Sequence, residues 1–193
     1  MGSVHLDSVA TVMTGMAPVA IRPQAAVAAA KFLSIKDLDV SKRELRTAAE
    51  PDAKRATPVE PGDVLLAARG DRPAVIEADE ALFGAYPTLD VYLIRPDPLQ
   101  LLPGFLVAWL SQERVAANLR SATSGVLIPR IPIALLKELP IPLPSLPRQH
   151  LIGTLAQAMR RESDLMQRLT DAHVRQREGQ LAALFASKEF RIP

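Results

Sequence analysis

The chain has 193 residues, with 23 Lys plus Arg, 21 Asp plus Glu and no Cys. That length allows one domain with at most an appendage, and 48% apolar with 23% charged residues describes a chain with a real core rather than a disordered one. Without Cys there are no disulfides, thiol nucleophiles, iron–sulfur clusters or Cys-ligated zinc. No apolar run reaches the ~20 residues of a membrane helix, and a formal net charge of +2 is too small to announce a polyanion partner. The opening Met-Gly-Ser-Val-His-Leu-Asp lacks a basic segment followed by a long apolar one, so no secretory signal is read and the cytoplasm is the expected compartment.

In chain order, the Ala-rich stretch Ala25 to Ala30 suits a turn of helix or a loop. Glu60-Pro61-Gly62-Asp63 is a turn with Pro and Gly at its centre. Val64 to Ala68 then reads as a buried strand, Arg69 to Pro73 breaks it, and Ala74-Val75-Ile76 returns as the second strand of a hairpin. Asp90 to Arg95 is β-branched and aromatic enough for another strand. Pro103 to Leu119 has helix composition, with Pro103 at its start and Phe105, Leu106, Trp109 and Leu110 as its buried face.

Six prolines between Pro129 and Pro147 forbid a long helix there. Beyond them no proline occurs until Pro193, and Arg148 to Lys188 is rich in helix formers. Ser145 can cap this helix and Pro147 sits in its first turn, where a missing N–H costs nothing. Ile152, Leu155, Met159, Met166 and Leu169 recur at three-, four- and seven-residue steps as a narrow seam. The seam turns polar at His173 and Gln176, and apolar residues resume at Leu181, Leu184 and Phe185. A helix of this length is ~60 Å long, longer than such a domain is wide, so part of it is expected to leave the globule and seek another helix. The expected architecture is an α/β domain over residues 1–144 and a long helix over 145–193.

The order of these pieces resembles the DNA specificity subunits of type I restriction-modification systems, in a form with a single recognition domain. Leu6 to Gly15 matches that family's Leu-x-x-Val-Ala-x-x-x-x-Gly opening, and Ser34-Ile35-Lys36-Asp37-Leu38 its apolar-Lys-Asp-Leu segment. Pro61-Gly62-Asp63-Val64-Leu65 with Arg69-Gly70 follows. Ser124-Gly125, Ile131-Pro132, Leu139-Pro140-Ile141-Pro142-Leu143-Pro144, and Gln149 with Ile152 complete the set, which spans roughly residues 4 to 185. Each piece alone is common; their order is specific. One departure is Arg148, where the family usually has a Glu that would complete a capping box with Ser145.

The resemblance implies a target-recognition domain with a twisted, mostly antiparallel sheet and a long C-terminal dimerisation helix. It implies a non-catalytic subunit without its own cofactor, partnered by double-stranded DNA, by a methyltransferase subunit that uses S-adenosylmethionine, and by a restriction/translocase subunit. The family's usual subunit has two recognition domains and two antiparallel long helices, whereas this chain has one of each. Two copies would restore the arrangement and read a symmetric split site, with Ile152, Leu155, Met159, Met166, Leu169, Leu181 and Leu184 facing the partner. The alternative is a protein–protein assembly module that only dimerises through the helix.

Residues 31–72 hold nine basic and eight acidic side chains, which by charge pattern alone is a solvated mixed surface; the resemblance turns the stretch toward DNA. Lys36 is a DNA-binding candidate, and Lys42 and Arg43, which follow it, suit phosphate contacts. Arg69 and Arg72 flank Gly70 in a tight loop, where a guanidinium can meet a guanine edge in two places; an ordinary hairpin turn is the competing reading. Thr123, Ser124 and Arg130, around Gly125, suit phosphate binding, against plain loop chemistry. Tyr86 and Trp109 read as packing residues, and so few aromatics disfavour a single-strand stacking platform. An enzyme is not expected. The three His are far apart, no phosphate-binding or nucleophile motif is present, and Asp63, Asp71, Glu77, Asp79 and Glu80 lack the nearby Lys of a nuclease site.

Overall fold

The structure, a computed structural model, describes residues 2–20, 28–52, 54–70, 73–121 and 130–185, with the backbone alone for 120 and 121. The chain divides into two compact units, Met1–Thr154 and Leu155–Pro193, so the start of the long helix belongs with the first unit.

Within the first unit, four strands form an antiparallel sheet: β2 (Ala10–Thr14), β5 (Val64–Ala67), β6 (Val75–Glu77) and β8 (Val91–Pro96), in the order β2-β8-β5-β6. The expected hairpin is present, with Leu65 opposite Ile76. Both faces of β5 are covered. Val64, Leu66 and Ala68 join Tyr92 and Ile94 in one cluster, while Leu65 and Ala67 join Val91 and Leu93 in another. A strand buried on both sides has no polar face, which is why Val64 to Ala68 is an unbroken apolar run.

The first cluster is closed by α1 (Pro103–Leu110) and α2 (Glu113–Ser121) through Phe105, Leu106, Leu110, Val115 and Leu119, with Ile131, Leu136 and Ile141 from the proline-rich stretch. Sequence pattern predicts one helix here, and the structure has two. The Ser111 hydroxyl donates to the Val107 carbonyl at 2.7 Å, and the Gln112 N–H reaches only to Trp109 at 3.0 Å. That tightened last turn ends α1. A short helix, α3 (Ile133–Lys137), lies within the proline-rich stretch.

A second sheet, β4-β3-β7, joins β3 (Ala29–Leu33) antiparallel to β4 (Arg46–Ala49) and parallel to β7 (Tyr86–Pro87). Of the Ala-rich segment, Ala29 and Ala30 belong to a strand rather than to a helical turn or loop, and residues 25–27 lie outside the described residues. Ala29 and Ala30 sit opposite Ala49 and Ala48, and pairing with a strand distant in sequence overrides the weak local preference of alanine. Tyr86 is buried, its ring 5.7 Å from that of Phe32. A third pairing, β1 (Ser3–His5) with β9 (Pro140–Pro142), ties the N-terminus to the proline-rich stretch. Among the described residues the sheets are mostly antiparallel, as expected, but they are three rather than one.

Helix α4 runs from Leu146 to Phe185, 40 residues. Its first hydrogen bond runs from the Gln149 N–H to the Ser145 carbonyl at 2.9 Å.

Candidate nucleic-acid interface and partner helix

The motif segments are built around buried polar side chains. In Ser34 to Leu38, Asp37 is 1% exposed and accepts from the Ser34 N–H, the Ser34 hydroxyl and the Glu44 N–H, each at 2.7 Å. Burial opposes its ionisation, but the Ser34 hydroxyl, those backbone donors and the Lys36 charge hold its carboxyl below the usual carboxylate range. In the Pro-Gly-Asp turn, Asp63 is wholly buried. It accepts from the Glu60 N–H at 2.7 Å and from Arg95 Nε and Nη2 at 2.8 and 2.9 Å. Arg95 also meets Glu60 at 3.0 Å and the Pro58 carbonyl at 3.2 Å. The bonds to Asp63 raise the guanidinium's pKa against the opposing effect of burial. Both motifs are therefore scaffold: they clamp loops on either side of strands β3 and β5.

Two groups of the candidate cations emerge. In the first, Lys36 lies 3.4 Å from Glu44 and Lys42 3.0 Å from Asp39, and both lysines are largely exposed. Asp39, held by the Ser41 hydroxyl, by Lys42 and by the Ser41 N–H, is pushed down to about 2. Exposed pairs of this kind are worth ~0–1 kcal/mol, so a phosphate can compete for either lysine. Arg43 is different. Its side chain is 11% exposed; Nη1 donates to both Asp79 oxygens at 2.7 and 2.9 Å, and Nε to the Asp37 carbonyl at 3.0 Å. Arg43 holds two loops together, and freeing it for DNA would leave Asp79 and that carbonyl without it. Arg46, passed over as a single candidate from sequence, lines a groove of about 430 Å³ with Lys36, Ser34 and Phe32.

The second group joins Arg69 and Arg130, 61 residues apart in sequence, through a backbone bridge. Arg69 Nε lies 2.8 Å from Asp90 Oδ1, and its side chain is 37% exposed. Arg130 donates to the Leu89 carbonyl at 2.7 Å and to the Tyr92 hydroxyl at 3.2 Å, and its guanidinium stands 5.3 Å from the Tyr92 ring centre. Tyr92 in turn donates to the Ile131 carbonyl at 2.5 Å. This is a stiff platform for Arg69, beside Gly70 with its positive φ of 111°. Arg72, Thr123 and Ser124 lie outside the described residues. Among the described residues no three His, Asp or Glu side chains converge to hold a metal, and no described helix is long and apolar enough to cross a membrane.

The start of α4 is fastened by Gln149, 1% exposed. Its amide accepts from the Leu102 N–H at 2.9 Å and donates to the Gln100 and Pro144 carbonyls at 2.8 and 2.9 Å. One turn on, Gly153 lies against Gly104: a Cβ on Gly153 would come within 2.9 Å of the Gly104 carbonyl carbon and 3.0 Å of the Phe105 nitrogen. Sequence reasoning noted Gln149 only as a resemblance and passed over Gly153, for which an i, i+3 or i+4 search carries no signal.

No protein-family model and no curated protein matches the sequence. Solved structures match its fold. A chain from a structure on complex assembly and conformational transition of the type I R-M system aligns with a TM-score of 0.69 at 18% identity, covering 99% of this chain and 51% of that one. The HsdS subunit from Thermoanaerobacter tengcongensis aligns at 0.65 and 19%, covering 99% and 51%. The type I restriction-modification S subunit from M. genitalium aligns at 0.58 and 19%, covering 97% and 46%.

The chain has the type I S-subunit fold. It spans about half the length of the S-subunit chains it matches. On this fold the seam residues fall into two sets. Ile152 packs, partly buried, against the main core of the first unit. Leu155, Met159, Met166, Leu169, Leu181 and Leu184 are exposed, from 52% at Leu169 to 62% at Leu184.

Proposed function

We propose that this chain is a non-catalytic DNA-recognition subunit of a type I restriction-modification complex, residues 1–144 reading one half of a split site and residues 145–193 serving the partners. The observation that carries the reading is an S-subunit fold covering 97–99% of this chain and about half of each neighbour. One copy supplies half of what the longer chains hold, and two copies related by a two-fold axis supply a symmetric whole. The exposed seam supports such a dimer, since large apolar side chains repeated along one face of a helix and left exposed mark an interaction surface. In this reading methyl transfer, with S-adenosylmethionine, belongs to a methyltransferase partner and cleavage to a restriction/translocase subunit. Arg69 is the candidate base reader, Lys36 and Lys42 are phosphate contacts, Arg130 stiffens the platform under Arg69, and the setting is the cytoplasm.

The second reading, an assembly module without DNA contact, draws on one feature: Lys36, Lys42, Arg43 and Arg69 each sit against a carboxylate. Co-purification with a candidate methyltransferase partner, followed by selection of bound duplexes, separates the two. A DNA-reading dimer enriches an inverted repeat with a fixed spacer, and its affinity falls steeply with salt. Enrichment of no sequence by the complete complex refutes the DNA reading.

A further inference from the structure

The exposed seam of α4 carries its own complement. Continued at three- and four-residue steps, it runs Leu155, Met159, Glu162, Met166, Leu169, His173, Gln176 and Gln180, the two alternating positions by which helices interlock. Glu162 and His173 are its ionisable members, and among the described residues neither side chain makes an intrachain hydrogen bond or ion pair. Ala158, Leu165, Met166 and Leu169 line one largely apolar surface together with Arg161 and Glu162. A carboxylate in the middle of an apolar strip is costly to cover unless the covering surface brings it a cation or donors.

The dimeric reading above names a second copy but leaves its register open. We propose that the second copy lies antiparallel on this seam, crossing between Gln167 and Arg168, so that Glu162 of each copy meets His173 of the other. The layers are then Met166 on Leu169 at the centre, Glu162 on His173, Met159 on Gln176 and Leu155 on Gln180, each occurring twice. The flank follows the same symmetry, with Leu165 opposite Ala172 and Ala158 opposite Gly179, large against small and small against smallest, and a Cβ at Gly179 would meet nothing within its own chain. Such mirrored complementarity is what an isologous two-fold interface requires.

Other arrangements lose these matches. A parallel pair sets Glu162 on Glu162 and His173 on His173, like against like. Sliding the antiparallel pair one heptad toward the N-terminus sets Glu162 on Met166 and His173 on Leu155. Sliding it the other way sets His173 on Leu169 and Met166 on Gln176. Charged neighbours within reach of His173 are Arg177, one turn on along its own helix, and Glu162 with Arg161 beside it on the second copy. Arg177 also reaches toward that same Glu162, so the carboxylate is the group on which both cations converge.

The absence of Cys makes the test clean in the full chain. Variants Glu162→Cys and His173→Cys are prepared separately and mixed. In the proposed register two copies of residue 162 lie ~16 Å apart along the helix axis, beyond disulfide reach, so each variant alone stays unlinked on mild oxidation. The mixture gives a linked dimer. In parallel, sedimentation at pH 6 compares the charge variants. Glu162→Lys weakens dimerisation at least about tenfold, and Glu162→Lys with His173→Glu restores it to within about threefold of the parent. A dimer whose mixture fails to link, or links instead when Glu162→Cys is mixed with Met166→Cys, overturns the register and leaves the dimeric reading standing. A chain that is monomeric at micromolar concentration, alone and with its methyltransferase, overturns both.

Discussion

Replacing Asp63 by Ala removes the acceptor of three bonds at once, from the Glu60 N–H and from two nitrogens of Arg95. Taking one partner from a buried ion pair costs about 3–5 kcal/mol, because the other charge is left uncompensated. Here the low end applies. Arg95 is 32% exposed and keeps Glu60 at 3.0 Å, so water and a second carboxylate recover part of the loss. The expected cost is therefore about 3 kcal/mol, which for a chain of this size lowers the melting temperature by roughly 6–12 °C. A thermal melt followed by circular dichroism, with a urea titration for the free energy, reads both numbers. The double variant Asp63→Leu with Arg95→Met is the control: with both charges gone, stability should return to within about 1.5 kcal/mol of the parent. If Asp63→Ala costs less than about 1 kcal/mol, the Pro-Gly-Asp turn is not the clamp described here.

Arg69→Ala in the complete complex should relax base preference at one position of the half-site by about 1–3 kcal/mol. Lys42→Ala should weaken all sequences alike and lower the slope of log affinity against log salt by about 1, both read by duplex titration at several salt concentrations. Gly153→Ala gains about 1 kcal/mol of helix propensity but meets the backbone of Gly104 and Phe105, an overpacking worth about 1–3 kcal/mol. Its urea midpoint should fall, and a rise would mean that the helix start is not pressed against α1. Asp39 has a depressed folded pKa, so the stability it lends is complete above the unfolded value of ~3.9 and is lost as pH falls toward about 2. An Asp39→Asn variant should show a flatter acid limb over that window, and an unchanged limb refutes the assignment.

The sequence by itself determined what depends on neighbours along the chain. Prolines 129 to 147 keep a long helix out of that stretch and Pro147 fits the first turn of α4, because a missing N–H and a fixed φ act where they stand. Val64 to Ala68 is apolar at every position because both faces of its strand are covered, so it is readable as a buried strand. The seam of α4 is also local, a repeat on one helix. Tertiary structure alone decided where the partners are distant. Ala29 is a strand residue because Ala49 lies opposite it. Arg43 is scaffold rather than an open cation because Asp79, 36 residues away, receives it. Arg69 and Arg130 form one platform because a bridge spans 61 residues between them. Charge counts see each Arg as the same cation, and only the fold separates the enclosed guanidinium of Arg43 from the more open one of Arg69, although each meets a carboxylate. Ile152 makes the same point on the helix, since it shares the period of Leu155 and Met159 but packs against the core of the first unit. Periodicity defines a face, and what covers that face is settled by the rest of the fold.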